Sequence, residues 1–221
     1  QLLRTVKFGP VRSTYSMHNY LYFDNKPCYK NDQHCILRLC NNLLKAAVHG
    51  SPSLNMENLD PMAQEYIEGT FIIVKYKLYN STIDGSEDCR VLNTEISLEN
   101  GTMNFKMHCP RLFMYGTYDI SGHLILVPIE GKGEFTLDTS KFCHIIITTF
   151  KLSGGMLAKL KNLFNGGNRE LADAAVKFAN SQWRPVAREF QGPVITANVK
   201  KIIKNMNKYL KVTPLNKFII E

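Results

Sequence analysis

The sequence predicts one elongated α+β domain, in which a long, curved antiparallel β-sheet wraps around a long C-terminal α-helix and leaves an apolar interior between them. Three observations carry this prediction. Residues 70–150 are a succession of β-rich stretches punctuated by turn signals. Residues 194–210 place Ile195, Val199, Ile202, Ile203, Met206, Tyr209 and Leu210 on one helical face and Lys200, Lys201, Lys204, Lys208 and Lys211 on the other. A single helix fills only part of the inner face of so long a sheet, so wrapping the sheet around the helix is the arrangement that buries both.

Each element follows from local chemistry. Residues 1–26 are basic, contain Tyr15, Tyr20 and Tyr22, and show no period; they read as an N-terminal arm preceding a single domain at 27–221. Asp32 is placed to cap a helix over Gln33–His49, which Gly50 and Pro52 end. Ile36, Leu37, Cys40, Leu43, Leu44, Ala47 and Val48 recur at steps of three and four along it. Residues 51–62 read as a loop between Pro52 and Pro61, and Phe71–Tyr79 as a strand. Val91–Leu98 and Met103–Cys109 flank Asn100-Gly101, the dipeptide suited to a two-residue type I′ turn. Phe113–Val127 reads as one long strand with an irregularity at Ser121-Gly122, Glu130–Gly133 as the next turn, and Glu134–Leu152 as a further strand region. Beyond Gly154-Gly155 the pattern turns helical, with segments at 157–164, 169–180, 182–190 and 194–210; Gly192-Pro193 separates the last two and Trp183 reads as a core anchor.

Composition excludes several classes. Hydrophobic residues at 44% and charged residues at 21% describe a globular chain rather than a disordered or fibrous one. No apolar run approaches the ~20 residues of a membrane-spanning helix. The net charge of +8 invites a nucleic-acid reading, but its distribution argues otherwise. Residues 1–150 hold 14 basic and 15 acidic side chains, whereas residues 151–221 hold 13 basic and 4 acidic ones. The excess is therefore the outer face of the C-terminal helices. It lacks the interleaved aromatic groups on which bases stack, so no nucleic-acid partner is expected. The alternative function for such a face is contact with an anionic membrane or an acidic receptor.

Catalytic and metal signatures are missing from the sequence. There is no Gly-x-Ser-x-Gly, Cys-x-x-Cys or His-Glu-x-x-His, and Gly131-Lys132-Gly133 lacks the flanking residues of a phosphate loop. His108-Cys109 and Cys143-His144 fall in strands, where neighbours point to opposite faces and do not share one ion. No enzyme activity, cofactor or metal site is expected. Cys28, Cys35, Cys40, Cys89, Cys109 and Cys143 admit many pairings. With the glycosylation sequons at Asn80 and Asn100, they point to a secreted protein.

The segment from Cys28 to Cys35 followed by an amphipathic helix, then Gly50–Leu54 and Leu59-Asp60-Pro61-Met62, resembles the start of the insect takeout / juvenile-hormone-binding-protein family. Leu160–Gly166 is similar to that family's Leu-x-Asn-Leu-Phe-Asn-Gly motif, with Leu171, Phe178, Asn180, Trp183, Pro193 and Pro214 following at family-like spacing. The resemblance spans about residues 26–220. It implies a secreted, monomeric carrier of a small hydrophobic ligand such as a terpenoid, a juvenile-hormone-like molecule or a lipid, in a haemolymph-like fluid. It also implies the fold of the bactericidal/permeability-increasing and lipid-transfer proteins, and a disulfide between Cys28 and Cys35. The stretch 151–159 is shorter than the family pattern by about two strands. Cys89 and Cys109 flank the hairpin at Asn100-Gly101. A two-residue turn there sets Cys109 opposite Leu92, so a Cys89–Cys109 bond requires a bulge or a neighbouring register.

A carrier of this kind holds its ligand between the sheet and the C-terminal helices. The expected lining from the helices is Phe178, Val186, Phe190, Val194, Val199, Ile202 and Met206. From the sheet it is Phe105, Met107, Phe113, Tyr115, Leu124, Leu126, Phe135 and Phe142. Near the first helix it is Leu44, Val48, Leu54 and Met62.

Overall fold

In chain order the elements are β1 (Cys28–Tyr29), α1 (Gln33–His49), β2 (Met62–Phe71), β3 (Val74–Asp84), β4 (Arg90–Ser97), β5 (Thr102–Cys109), β6 (Phe113–Leu124) and β7 (Val127–Asp138). There follow β8 (Cys143–Ile146), β9 (Lys151–Leu152), β10 (Leu157–Leu160), α2 (Arg169–Ser181), α3 (Trp183–Val212) and β11 (Ile219–Ile220). This computed structural model describes residues 27–71, 73–97, 102–124, 127–139, 143–146, 151–152, 157–214 and 217–220. The arm at 1–26, Asn100, Leu126 and Phe142 lie outside these residues, as do the side chains of Leu124 and Phe190.

Helix α1 begins where the Asp32 carboxylate accepts from the Cys35 N–H at 2.9 Å, and it ends at Gly50, whose φ of 72° suits glycine. The Cys28–Cys35 disulfide ties β1 to its first turn. Strand β1 pairs in parallel with β11, which brings the two ends of the described chain together.

Among the described residues the antiparallel β region is hydrogen-bonded in two groups of strands. Five strands run in the order β10-β7-β6-β3-β2, and four in the order β4-β5-β8-β9. The chain alternates between them, because turn signals mark where the backbone reverses but not which strand it next joins. Strand β2 begins at Met62, at the end of the expected loop, and runs to Phe71. Its alternation slips where Glu65 and Tyr66 are both exposed, which masks the two-residue period. Leu124 at the end of β6 pairs with Val127 at the start of β7, and Gly131 and Gly133 sit inside β7 rather than in a turn. The 134–152 region divides into the end of β7, β8 and β9.

The segment 157–160 is a strand, not a helix: Leu157–Leu160 pair antiparallel with Phe135–Asp138. Four apolar-rich residues satisfy either period, and the open edge of β7 decides between them. Helix α3 is continuous through Pro193, which forfeits one backbone hydrogen bond without ending it. Trp183 is half-buried, with the Arg184 guanidinium 5.1 Å from its ring centroid, and is not a core anchor.

In the β4–β5 hairpin, Ser97 faces Thr102, two residues away from the register that a turn centred on Asn100-Gly101 would set. A bulge between Val91 and Asn93 then advances the register so that Arg90 faces His108. Cys89 and Cys109 thereby come opposite one another and are bonded, with Cα atoms 4.1 Å apart.

The principal core lies where α1 and the second half of α3 meet β2, β4 and β5. Leu39, Leu43, Leu44, Val48, Met62, Met107, Val199, Ile202 and Met206 are all buried there. The apolar stripe of α3 is the face committed to this core. Asn205, fully buried on that face, donates through Nδ2 to the carbonyls of Ala47 at 2.8 Å and Glu57 at 2.7 Å. It fastens α3 to the end of α1 and to the loop beyond. Asn205→Ala leaves both carbonyls without this donor, and a loss of about 2–3 kcal/mol is expected in urea unfolding.

Candidate functional site

An apolar cavity lies on the inner face of the five-stranded sheet. The alternation in β3 turns Val74, Tyr76 and Leu78 inward and Lys75 and Lys77 to solvent. Tyr118 and Ile120 join them from β6, Ile129, Phe135 and Leu137 from β7, and Ala158 and Leu160 from β10. Over these, α2 lays Ala175, Val176, Phe178 and Ala179, the start of α3 adds Val186, and Leu163 closes one side. The volume is about 150 Å³, the scale of a cavity that stays dry and admits a molecule the size of benzene. The space exists because the helix face turned to the sheet carries alanines, whose methyl groups stop short of the strands.

The site is electrically bland. None of the sixteen lining residues carries a charge. The Tyr118 hydroxyl donates to the Lys161 carbonyl at 2.9 Å, and burial pushes its pKa up to about 12. Burial raises Tyr76 further still, so both phenols are neutral across the physiological range. The Tyr76 hydroxyl packs over Gly69, where an added Cβ would come within 2.2 Å of it.

Two devices hold the wall together. The Asn180 side chain accepts from the Ala158 N–H at 2.7 Å and donates to the Ala158 carbonyl at 3.0 Å, so it acts as a strand partner that fixes α2 to the edge of β10. The segment 161–163 crosses β7 at its glycines: Leu163 bridges to Gly131, and a Cβ at Gly133 would lie 2.1 Å from the Lys161 carbonyl oxygen. This close approach carries Leu163 into the cavity wall. Gly133→Ala is expected to cost about 1–3 kcal/mol in thermal or urea unfolding, because backbone rather than a flexible side chain must give way.

The expected lining residues separate into groups. Phe135, Phe178 and Val186 line the cavity. Leu44, Val48, Met62, Phe105, Met107, Val199, Ile202 and Met206 are buried in the principal core, with Leu54 and Val194 half-buried against it. Their helical or strand period marks them as inward-facing but not as bordering space. Phe113 is half-buried and Tyr115 exposed, because β6 turns Met114 and Tyr118 inward rather than 113 and 115. Aromatic and apolar residues occupy both faces there, so the period alone does not choose. The alternation of β3 and the Ala172, Ala175, Val176, Ala179 stripe of α2 were the signals for the residues not anticipated.

The lysine face of α3 is partly committed. Lys201 pairs with Glu57 at 2.7 Å and Lys208 donates to the Asn55 carbonyl, which leaves Lys200, Lys204 and Lys211 exposed. Among the described residues, no three His, Cys, Asp or Glu side chains cluster as a metal site, and no helix is long and apolar enough to cross a membrane.

The fold and the site define an α+β protein in which an apolar pocket lies between the five-stranded sheet and the helices α2 and α3. The family model for the haemolymph juvenile hormone binding protein (JHBP) matches residues 17–155 and 146–220, and the chain belongs to that family. The two matched segments overlap at 146–155. The chain is 26% identical to the circadian clock-controlled protein daywake of Drosophila melanogaster over 216 residues, covering 79% of each. It is 22% identical to daywake of Drosophila yakuba over 200 residues, covering 75% of each. Its fold is similar to the crystal structure of Epiphyas postvittana Takeout 1, with a TM-score of 0.77 and 24% identity, covering 88% of this chain and 99% of that one.

Proposed function

We propose that this chain is a secreted, non-enzymatic carrier that holds a small, uncharged hydrophobic molecule between the inner face of the five-stranded sheet and α2. The observation that carries this reading is a cavity whose sixteen lining residues include no charge and no nucleophile–base pair. A carboxylate or phosphate taken into it loses its hydration without gaining a cationic partner, whereas a terpenoid or hydrocarbon body loses nothing. Burying a six-carbon body supplies about 5 kcal/mol before the costs of association, and each further buried CH₂ adds ~0.8 kcal/mol. The two disulfides support an oxidising, extracellular compartment.

Native mass spectrometry of protein from its natural source, followed by organic extraction, tests the proposal. A neutral apolar compound is expected to travel with the protein. An empty protein from which no neutral terpenoid or lipid displaces an apolar fluorescent dye would overturn the reading.

A further inference from the structure

The outer face of the five-stranded sheet carries a feature that ligand carriage does not use. Strand β3 bulges between Tyr79 and Thr82, where two residues, Asn80 and Ser81, oppose the single Gly116 of β6. Gly116 is required there, because a Cβ would lie 2.9 Å from both the Ser81 Cα and the Tyr79 carbonyl. The extra residue turns Ser81 into the protein, 1% exposed, and leaves Asn80 exposed with a φ of 47°. Asn80 is also the acceptor of the Asn80-Ser81-Thr82 sequon.

Tyrosines surround it. Tyr79 precedes Asn80 and meets Tyr66 of β2 with ring centroids 5.4 Å apart, and Tyr115 lies across from Thr82 on β6. Tyr66 is 46% and Tyr115 40% exposed, an unusual concentration of aromatic surface on the solvent side of a sheet. An aromatic face beside an exposed Asn in a sequon offers an apolar platform to the C–H face of a sugar.

We propose that Asn80 carries an N-linked glycan whose first sugars lie over Tyr66, Tyr79 and Tyr115. This rests on the secretory reading above. In the transfer, the Asn80 carboxamide nitrogen attacks C1 of an oligosaccharide held on a polyprenyl pyrophosphate. The N–C1 bond forms, the C1–O bond to pyrophosphate breaks, and the amide proton leaves with the departing pyrophosphate; nothing is oxidised or reduced. The bulge permits the adduct by lifting Asn80 out of the strand ladder, and the tyrosines order it.

The test is secretion of the full chain from insect cells behind a supplied signal peptide, which makes the outcome independent of how the natural chain enters the pathway. Peptide mapping is expected to find a glycan on Asn80. Nitration by tetranitromethane at Tyr66, Tyr79 and Tyr115 is expected to rise several-fold after enzymatic removal of that glycan, with Tyr29, 63% exposed on β1, unchanged. Thr82→Ala, which keeps Asn80 and its backbone, is expected to be secreted unmodified at Asn80 and to nitrate at the faster rate; Asn80→Gln is its companion. An unmodified Asn80 in the secreted wild-type chain would overturn the proposal. So would a glycan whose removal leaves all four tyrosines equally reactive. Ligand binding measured on the same material reports separately on the carrier reading.

Discussion

Ala158→Phe is expected to weaken binding of a neutral apolar ligand by about 100-fold while the protein stays folded. Ala158 sits on β10, 7% exposed, with its backbone held on one side by β7 and on the other by Asn180. A phenyl group there cannot swing to solvent without breaking those bonds, so it enters the 150 Å³ cavity. It occupies space that a ligand of about four CH₂ groups would otherwise use, which removes ~3 kcal/mol of transfer free energy, and that difference is about two orders of magnitude in Kd. Because the phenyl fills existing space, the urea midpoint is expected to move little. Dye displacement and urea unfolding on the same variant separate the two effects. Binding that survives intact would place the ligand elsewhere in the protein.

Removing the disulfide that closes the β4–β5 hairpin has the largest expected effect on stability. The double substitution Cys89→Ala, Cys109→Ala opens a loop with a sequence separation of 20, and about 3 kcal/mol is expected to be lost from the constraint on the unfolded chain. The bond also secures a register. The bulge at Leu92 is what brings residues 89 and 109 together. A one-residue slip would turn Val91, Thr94 and Phe105 away from the core they now fill. The measurement is the urea midpoint of the oxidised wild type against the double variant, with ligand binding at low temperature as the control for a retained fold. An unchanged midpoint would mean that packing alone holds this hairpin.

Much of the architecture was legible residue by residue. The steps of three and four in residues 33–49, bracketed by Asp32 and Gly50, specify α1 to its ends because capping and period agree. The stripe from Ile195 to Leu210 specifies which side of α3 is buried. With a turn at Asn100-Gly101 the hairpin cysteines required a bulge or a neighbouring register to pair, and the hairpin has both: Ser97 faces Thr102, and a bulge falls between Val91 and Asn93. The cavity was harder to read. Its walls are built from Val74, Tyr76 and Leu78, which look like any half-buried strand, and from Ala175 and Ala179, which look like helix filler. A core residue and a lining residue have the same hydrophobicity and the same period. They differ only in whether another side chain comes to meet them.

Sequence by itself determined the α+β class, the long apolar face of the C-terminal helix, the concentration of basic charge on its other side, and the family. Those properties reside in period, capping and short motifs, each contained within a dozen or so neighbours along the chain. Only the tertiary structure decided that the described strands are hydrogen-bonded in two groups, that 157–160 completes an edge, and that Gly131 and Gly133 admit a crossing segment rather than a turn. It also decided which sixteen of the described residues come together around the apolar space. These outcomes depend on which surfaces meet across long separations. An alanine makes a cavity only when the strand opposite it is too far away to fill the gap.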